Sequence, residues 1–111
     1  MLQYETARKL YEEMKEKAAE KFPGSSGGFY KLFLKTAVDY ATTRTAWASM
    51  NKEERIDDDK ARRLKHDAFI AMLTAVSRNL GINDIEEILP DRKTKGDFAC
   101  YIALFLGLEQ R

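Results

Sequence analysis

Apolar residues recur every three or four positions in three long segments of this chain, which is the spacing of amphipathic helices. The first predicted helix covers about residues 2–21, and its apolar stripe contains Tyr4, Ala7, Tyr11, Met14, Ala18 and Phe22. A Pro/Gly/Ser loop is expected at residues 22–28, because Pro23 disfavours helical geometry at the residue before it and glycine is costly to order.

The second predicted helix begins near Gly28, and its apolar positions are Phe29, Phe33, Ala37, Tyr40, Ala41, Trp47 and Ala48. With about 100° of rotation per residue, Arg44 points into the middle of this apolar sector. Burying an unpaired guanidinium is costly, so Arg44 needs an acidic partner. We expect a structural ion pair that fixes helix register, with an anion pocket as the alternative; the candidate acids are Asp67, Asp97 and Glu109.

Asn51 is predicted to cap a short turn over residues 52–54, after which the acids at 57–59 begin the third helix, since helix N-termini carry partial positive charge. This helix should end at Gly81, a typical C′ glycine. Its spacing predicts ion pairs of Arg63 with the acids four residues before and after it. The apolar positions are Leu64, Ala68, Phe69, Met72, Val76 and Leu80.

The C-terminal part is predicted to contain a single helical turn near residues 83–88, capped by Asn83, and then a last helix. Thr94 followed by Asp97 resembles a capping box, and Asp91 is an alternative cap. Residues 98–108 are apolar on every side of the helix, so this segment should be central or covered by another copy. The sequence therefore predicts an all-α, four-helix bundle-like single domain over residues 1–111, with an extra short turn.

Composition supports a folded domain, because 44% of the 111 residues are hydrophobic and 33% are charged. The apolar run at 98–108 is shorter than the roughly 20 residues that span a bilayer, so we expect no membrane contact. The first ten residues, MLQYETARKL, carry charges before any apolar run, which predicts no secretion signal and a cytoplasmic location. Cys100, the single cysteine, is expected to be a buried and unreactive thiol.

The balance of 19 Lys and Arg against 18 Asp and Glu does not favour a polyanionic partner. Nucleic acid is nevertheless an alternative partner, because basic residues cluster in two places. Acids interleave with the first cluster, which favours a mixed-charge surface in water. The residues that would contact nucleic acid are Arg62, Arg63, Arg92, Lys93 and Lys95.

His66 is the only histidine and the obvious candidate for a general base. The adjacent Asp67 projects about 100° away on a helix, so the two side chains do not form a dyad. We expect a hydrogen-bonded structural histidine, and the candidates for a structural polar cluster are Arg44, Arg62, His66, Asp67 and Asp97. A small enzyme or anion binder built on Arg44 and His66 is the least favoured hypothesis.

No catalytic residue, cofactor or metal site is predicted. One histidine and one cysteine cannot form a zinc site, and the acids at 57–59 lack the spacing and glycine of a calcium loop. The PGSSGG segment lacks the Gly-Lys-Ser/Thr that completes a P-loop. These residues therefore predict a protein that is not an enzyme.

Five short segments resemble a family of small, uncharacterised all-helical proteins of Gram-positive bacteria, a domain of unknown function often met on plasmids, phages and integrative elements. The similarity covers roughly residues 36–111, and the segments are RTAW at 44–47, DKARR at 59–63, HDAFI at 66–70, DRK at 91–93 and GDFACYI at 96–102. The resemblance implies a helical bundle in a mobile-element setting and supplies no catalytic residues.

The leading functional prediction is a non-enzymatic protein-protein interaction or accessory module, with a homodimer as one form. Its partner would cover apolar surface on the last helix or on the tyrosine-rich first helix. The alternative is a nucleic-acid-binding accessory protein of a mobile element, whose binding would weaken steeply with salt.

Overall fold

The computed structural model describes residues 1–21 and 28–110, and the regular structure in these ranges is entirely helical. The predicted all-α fold with four long helices and one short turn is therefore confirmed. Within the described ranges, no helix is long and apolar enough to cross a membrane. Phe22 and the predicted loop lie outside these ranges, except for Gly28. The helices are α1 (Tyr4–Lys21), α2 (Gly28–Ala48), α3 (Lys52–Leu80), α4 (Ile85–Ile88) and α5 (Arg92–Glu109).

Helix α2 organises the domain, because it packs extensively against both α3 and α5, while α1 packs on α3 and α5. Arg44, near the end of α2, contacts Asp97, near the start of α5. Tyr30, near the start of α2, interacts electrostatically with Glu109 at the end of α5, so these two helices are antiparallel. Burying each large apolar side chain contributes about 1.5–3 kcal/mol. The largest fully buried apolar side chains are Phe33, Phe69, Phe98, Phe105, Met14, Leu73, Leu89, Ile102 and Val76.

Helix α3 has the predicted cap and stop but not the predicted start. The Asn51 side chain accepts a hydrogen bond from the Glu54 amide at 2.9 Å, and Gly81 ends the helix at a φ of 73°. The helix runs unbroken from Lys52, so the prediction of a separate turn before a helix that begins at 57–59 is wrong. No Gly or Pro interrupts the segment, and Asp59 is accommodated because it pairs with arginines one turn later.

Two predicted caps near the C-terminus are also corrected. Asp91 caps α5 and accepts a hydrogen bond from the Thr94 amide at 2.7 Å, so the earlier of the two proposed caps is used. At α4 the N-cap position belongs to Asp84, which makes no side-chain cap bond, and the predicted Asn83 cap is wrong. The Asp84 carbonyl instead closes the turn by accepting from the amides of Glu87 and Ile88.

The predicted buried face of α3 is rotated from the observed one. Leu64 is 61% exposed and Ala68 is exposed, whereas His66 and Leu73 are buried. Helices α2 and α5 both pack on α3, and His66 reaches the interior because its ring stacks on Tyr40. Three other residues predicted to be in the core are exposed, namely Tyr4, Phe29 and Ala48.

The molecule is elongated, with extents of 46 × 29 × 24 Å. Residues 42–65 include no buried residue, so the end of α2 and the first half of α3 form a helical hairpin with little core of its own. We call residues 45–63 the hairpin arm. The ring centroid of its half-buried Trp47 lies 4.7 Å from the guanidinium carbon of Arg55 and 4.7 Å from that of Arg62. These cation–π contacts join the two helices of the arm.

Candidate functional site

Arg44 finds one of its three candidate partners. Its Nη2 donates to Asp97 Oδ1 at 3.0 Å, and its Nη1 lies 3.8 Å from Cys100 Sγ. The other two candidate acids are engaged elsewhere, since Asp67 accepts from Arg92 and Glu109 accepts from Tyr11 and Lys15. The Asp97 side chain is only 14% exposed and the Arg44 side chain is 32% exposed, so the ion pair that joins α2 to α5 is partly buried.

Cys100 is half-buried rather than fully buried. Burial raises the pKa of its thiol, and the nearby Arg44 opposes that rise only in part. A thiol with a raised pKa is a weak nucleophile, because the thiolate is the reactive form.

His66 is 6% exposed, and its Nε2–H donates to the carbonyl of Arg92 at 3.0 Å. Its ring stacks on Tyr40 with 4.6 Å between centroids. Burial lowers the pKa of His66, and the charges of Arg92 and Arg62 lower it further. The ring is therefore neutral near pH 7, and the Asp67 carboxylate beside it in sequence is bound to Arg92 at 2.6 Å.

The five polar-cluster candidates fall into three groups. Arg44 pairs with Asp97. His66 and Asp67 both form hydrogen bonds with Arg92, the first residue of α5. Arg62 belongs to the hairpin arm, where it pairs with Asp59 at 3.0 Å.

Tyr40 and Gly96 bring the first two groups close together. A Cβ at Gly96 would lie 3.1 Å from Tyr40 Oη and 3.2 Å from Arg44 Nη1. Because Tyr40 also stacks on His66, one tyrosine ring lies between the ion pair and the histidine.

Arg55 closes the C-terminus of α2, a role that was not predicted. Its Nε donates to the Trp47 carbonyl at 3.1 Å, and its Nη2 donates to the Ala48 carbonyl at 2.6 Å. Carbonyls in the last turn of a helix lack the usual amide partner four residues later, so Arg55 provides donors for them, and the Trp47 carbonyl also accepts from the Met50 amide at 3.1 Å. The available sequence signal was the nearness of Arg55 to the predicted end of α2.

Most of the predicted nucleic-acid residues are paired with carboxylates. Arg62 and Arg63 both contact Asp59, and Arg92 contacts Asp67. Lys95 is buried and pairs with Glu86 at 3.0 Å.

Lys93 is exposed and forms no ion pair within the described residues. It is therefore the one member of the set with a free ammonium group for a phosphate. Nucleic-acid binding stays a prediction.

One hollow on the surface is lined by uncharged residues alone. The outward positions of α2 and α5 form a hollow of about 630 Å³, which small and apolar residues line. Val38 and Leu108 extend it along the two helices by their spacing. We call this surface the α2–α5 face, and it consists of Val38, Ala41, Thr42, Thr45, Ala46, Ser49, Cys100, Ala103, Leu104 and Leu108.

Large apolar side chains stand exposed on this face, since Val38 is 37%, Leu104 47% and Leu108 41% exposed. One third of the chain is charged, yet none of the face's positions is. Three other hollows each include charged side chains. The α2–α5 face is therefore the candidate functional site.

Within the described ranges, no group of three or more His, Cys, Asp or Glu residues could hold a metal ion. Comparison with protein-family models, curated proteins and solved structures finds no match to the chain. The resemblance to small helical proteins of mobile elements accordingly stays a prediction.

Proposed function

We propose that this chain is a non-enzymatic protein-interaction module that binds its partner through the α2–α5 face. The observation that carries the proposal is the lack of charge on an exposed two-helix surface of a highly charged chain. Cores of protein interfaces are depleted of charged residues, whereas solvent-facing helix surfaces are rich in them.

The residue sizes on the face also support docking. On α2 the side chains are small, so a partner helix can approach the backbone closely, while Leu104 and Leu108 project from α5. Fully burying a leucine contributes about 1.5–3 kcal/mol. A few such anchors dominate the binding energy of an ordinary interface.

The side chains that could take part in catalysis make contacts inside the fold, which further supports a binding role. His66 donates a hydrogen bond to a backbone carbonyl, and Arg44 forms an ion pair with Asp97. Burial raises the pKa of the Cys100 thiol. We expect the module to act in the cytoplasm, because a single cysteine cannot form the intrachain disulfides common in secreted domains.

Site-specific photo-crosslinking in cells tests the proposal. A photoreactive residue in place of Leu104 should give a covalent adduct of one discrete mass. The matched control places the same residue at Leu64, which is 61% exposed on α3 and outside the face. Equal labelling at both positions, or no adduct at Leu104, would contradict the proposal.

A further inference from the structure

We infer that the occupant of the α2–α5 face is a second copy of this chain, related by a two-fold axis parallel to α2 and α5. The inference rests on the proposed function and adds the identity of the partner and the geometry of the contact. Each copy's α5 would then pack against the partner copy's α2, and the two faces together would form an antiparallel four-helix contact.

The shape of the face favours self-recognition. Leu104 and Leu108 project from α5, and beside them the small residues of α2 leave the hollow of about 630 Å³. A two-fold axis along the helices places α5 of one copy over α2 of the other, so that the exposed Leu104 meets the exposed Val38 of the partner copy. An isologous contact requires a surface that carries both complementary parts, and this face does.

The position of each contact along the helix axis, its level, follows from the fold. Within one copy, Arg44 on α2 is level with Asp97 on α5, and the two helices are antiparallel. Rotation about an axis parallel to the helices preserves that level. Leu104, seven residues after Asp97, should therefore lie level with residue 37 of the partner copy's α2, next to Val38, which is 37% exposed.

The charges at the two ends of the face fit the same arrangement. Lys35 lies one turn before Val38 on the same side of α2, and Lys93 lies at the start of α5; both are exposed. In the proposed dimer, Lys35 approaches the C-terminal end of the partner copy's α5. Lys93 approaches the C-terminal end of the partner copy's α2. Helix C-termini carry partial negative charge, so both lysines meet a favourable end.

A partner of different sequence would need an uncharged surface with a helix C-terminus at each end. A second copy of this chain has both features. The proposed contact would occupy a small part of the surface of each copy. An ordinary interface covers roughly 800 Å² of each partner. One copy exposes 7000 Å², and the face extends along about three turns of each helix.

Sedimentation equilibrium of the full chain is the first test. The native protein should be a dimer that dissociates on dilution. Leu104→Glu should raise the dimer dissociation constant by roughly 100-fold or more, because two carboxylates would be buried without partners. Thr45→Lys, on the other helix of the face, should do the same, and Leu64→Glu, the matched control, should leave the constant unchanged. Far-ultraviolet circular dichroism checks that each variant stays helical.

Disulfide trapping tests the direction of the axis. In a Cys100→Ser background, Val38→Cys and Leu104→Cys are made as separate proteins, oxidised alone and then as a mixture. The proposed axis predicts that the mixture cross-links more than either protein alone. A perpendicular axis, which stacks α2 on α2, predicts the strongest cross-link for the Val38→Cys protein by itself and would overturn the geometry.

The outcomes separate this inference from the proposed function. A monomer at all concentrations, together with a discrete crosslinked adduct that is not twice the chain mass, overturns the second copy and leaves the interaction module intact. A dimer that Leu104→Glu and Thr45→Lys do not weaken overturns the face as its interface. An adduct of twice the chain mass, with dissociation by both variants, supports both.

Discussion

At position 96, the lack of a side chain determines how closely two helices approach. A Cβ on Gly96 would lie 3.1–3.2 Å from Tyr40 and Arg44. The Tyr40 ring cannot move aside easily, because it is 2% exposed and stacks on His66. Gly107, in the same helix, has nothing within 4 Å of such a Cβ. The two glycines therefore provide a matched comparison of packing against helix propensity.

We expect Gly96→Ala to destabilise the fold and Gly107→Ala to stabilise it. Alanine gains about 1 kcal/mol of helix propensity over glycine at either position. At Gly96, overpacking against Tyr40 costs about 1–3 kcal/mol and outweighs that gain. Urea unfolding of the two variants at equal protein concentration measures whether each is more or less stable than the native protein. A stabilised Gly96→Ala variant would mean that the Tyr40 ring can shift.

His66 should make stability depend on pH. Its pKa is below the ordinary value of 6.5 in the folded state, because burial and nearby arginines oppose protonation. The unfolded chain therefore binds more protons as the pH falls, so the contribution of His66 is complete above about pH 6.5 and declines below it. Urea unfolding between pH 7.5 and 5 should show this loss.

His66→Gln is the control for that pH dependence, because glutamine can still donate to the Arg92 carbonyl but does not titrate. It should cost about 1 kcal/mol at pH 7.5 from the lost ring stacking. The slope between pH 7.5 and 5 should flatten in this variant. An unchanged slope would assign the pH dependence to other groups.

The sequence predicted a polar partner only where burying an unpaired charge would be costly. Arg44 needed an acid, and Asp97 was one of three candidates. The cap at Asn51 and the stop at Gly81 followed from local backbone chemistry. The role of Arg55 was not predicted, because its nearness to the end of α2 does not identify its acceptors, which are carbonyls that every residue has.

At the scale of helices, the Arg44–Asp97 pair is the principal polar link between α2 and α5. The Asp97 side chain is 14% exposed and its Oδ2 atom has no hydrogen-bond partner, whereas the Arg44 side chain is 32% exposed. The acid therefore depends on the arginine more than the arginine depends on the acid. The loss of each partner should consequently have a different cost.

We expect Arg44→Met to destabilise the protein by about 2–3 kcal/mol, because it leaves a buried carboxylate unpaired. The double variant Arg44→Met/Asp97→Leu should recover most of that loss, since no charge is left buried. Thermal or urea unfolding of the single and double variants completes a double-mutant cycle. Additive effects would show that the pair does not couple the two helices.

The hairpin arm depends on Arg55, which binds the α2 carbonyls and contacts Trp47. Arg55→Met should cost about 1–2 kcal/mol from the lost cap and cation–π contact. Lys52→Met, in the first turn of the same helix and exposed, should change stability by less than about 0.5 kcal/mol. Equal effects at the two positions would contradict the capping role.

The misplaced start of α3 has a physical reason at this scale. Three consecutive acids favour a helix N-terminus, which led to the predicted boundary at 57–59. Asn51 and Glu54 had already formed a capping box five residues earlier. A helix continues through acids when arginines one turn later neutralise them, as Arg62 and Arg63 do for Asp59.

For the whole molecule, hydrophobic periodicity predicted the number of long helices and the all-α class correctly. It did not predict which side of a helix faces inward when apolar residues occupy more than one side. On α3 it placed Leu64 inside, although this side chain is 61% exposed, and it did not include His66, which is buried. The inward side is set by where α2 and α5 pack, and that information is not local to the segment.

If the whole molecule is a dimer, its melting temperature should rise with protein concentration, because dissociation accompanies unfolding. Scans of the native chain at concentrations differing by 100-fold should show this shift. Leu104→Glu should melt at one temperature throughout that range. A native melting temperature that does not change with concentration would count against the second copy.

Cys100 gives the α2–α5 face a native chemical reporter. Cys100 lines the hollow that the partner would close, and its thiol is the only one in the chain. A maleimide reagent should therefore label dilute protein faster than concentrated protein, although the same atom reacts in both. Occupancy of the face can be followed by counting tagged molecules, without adding a dye or a mutation.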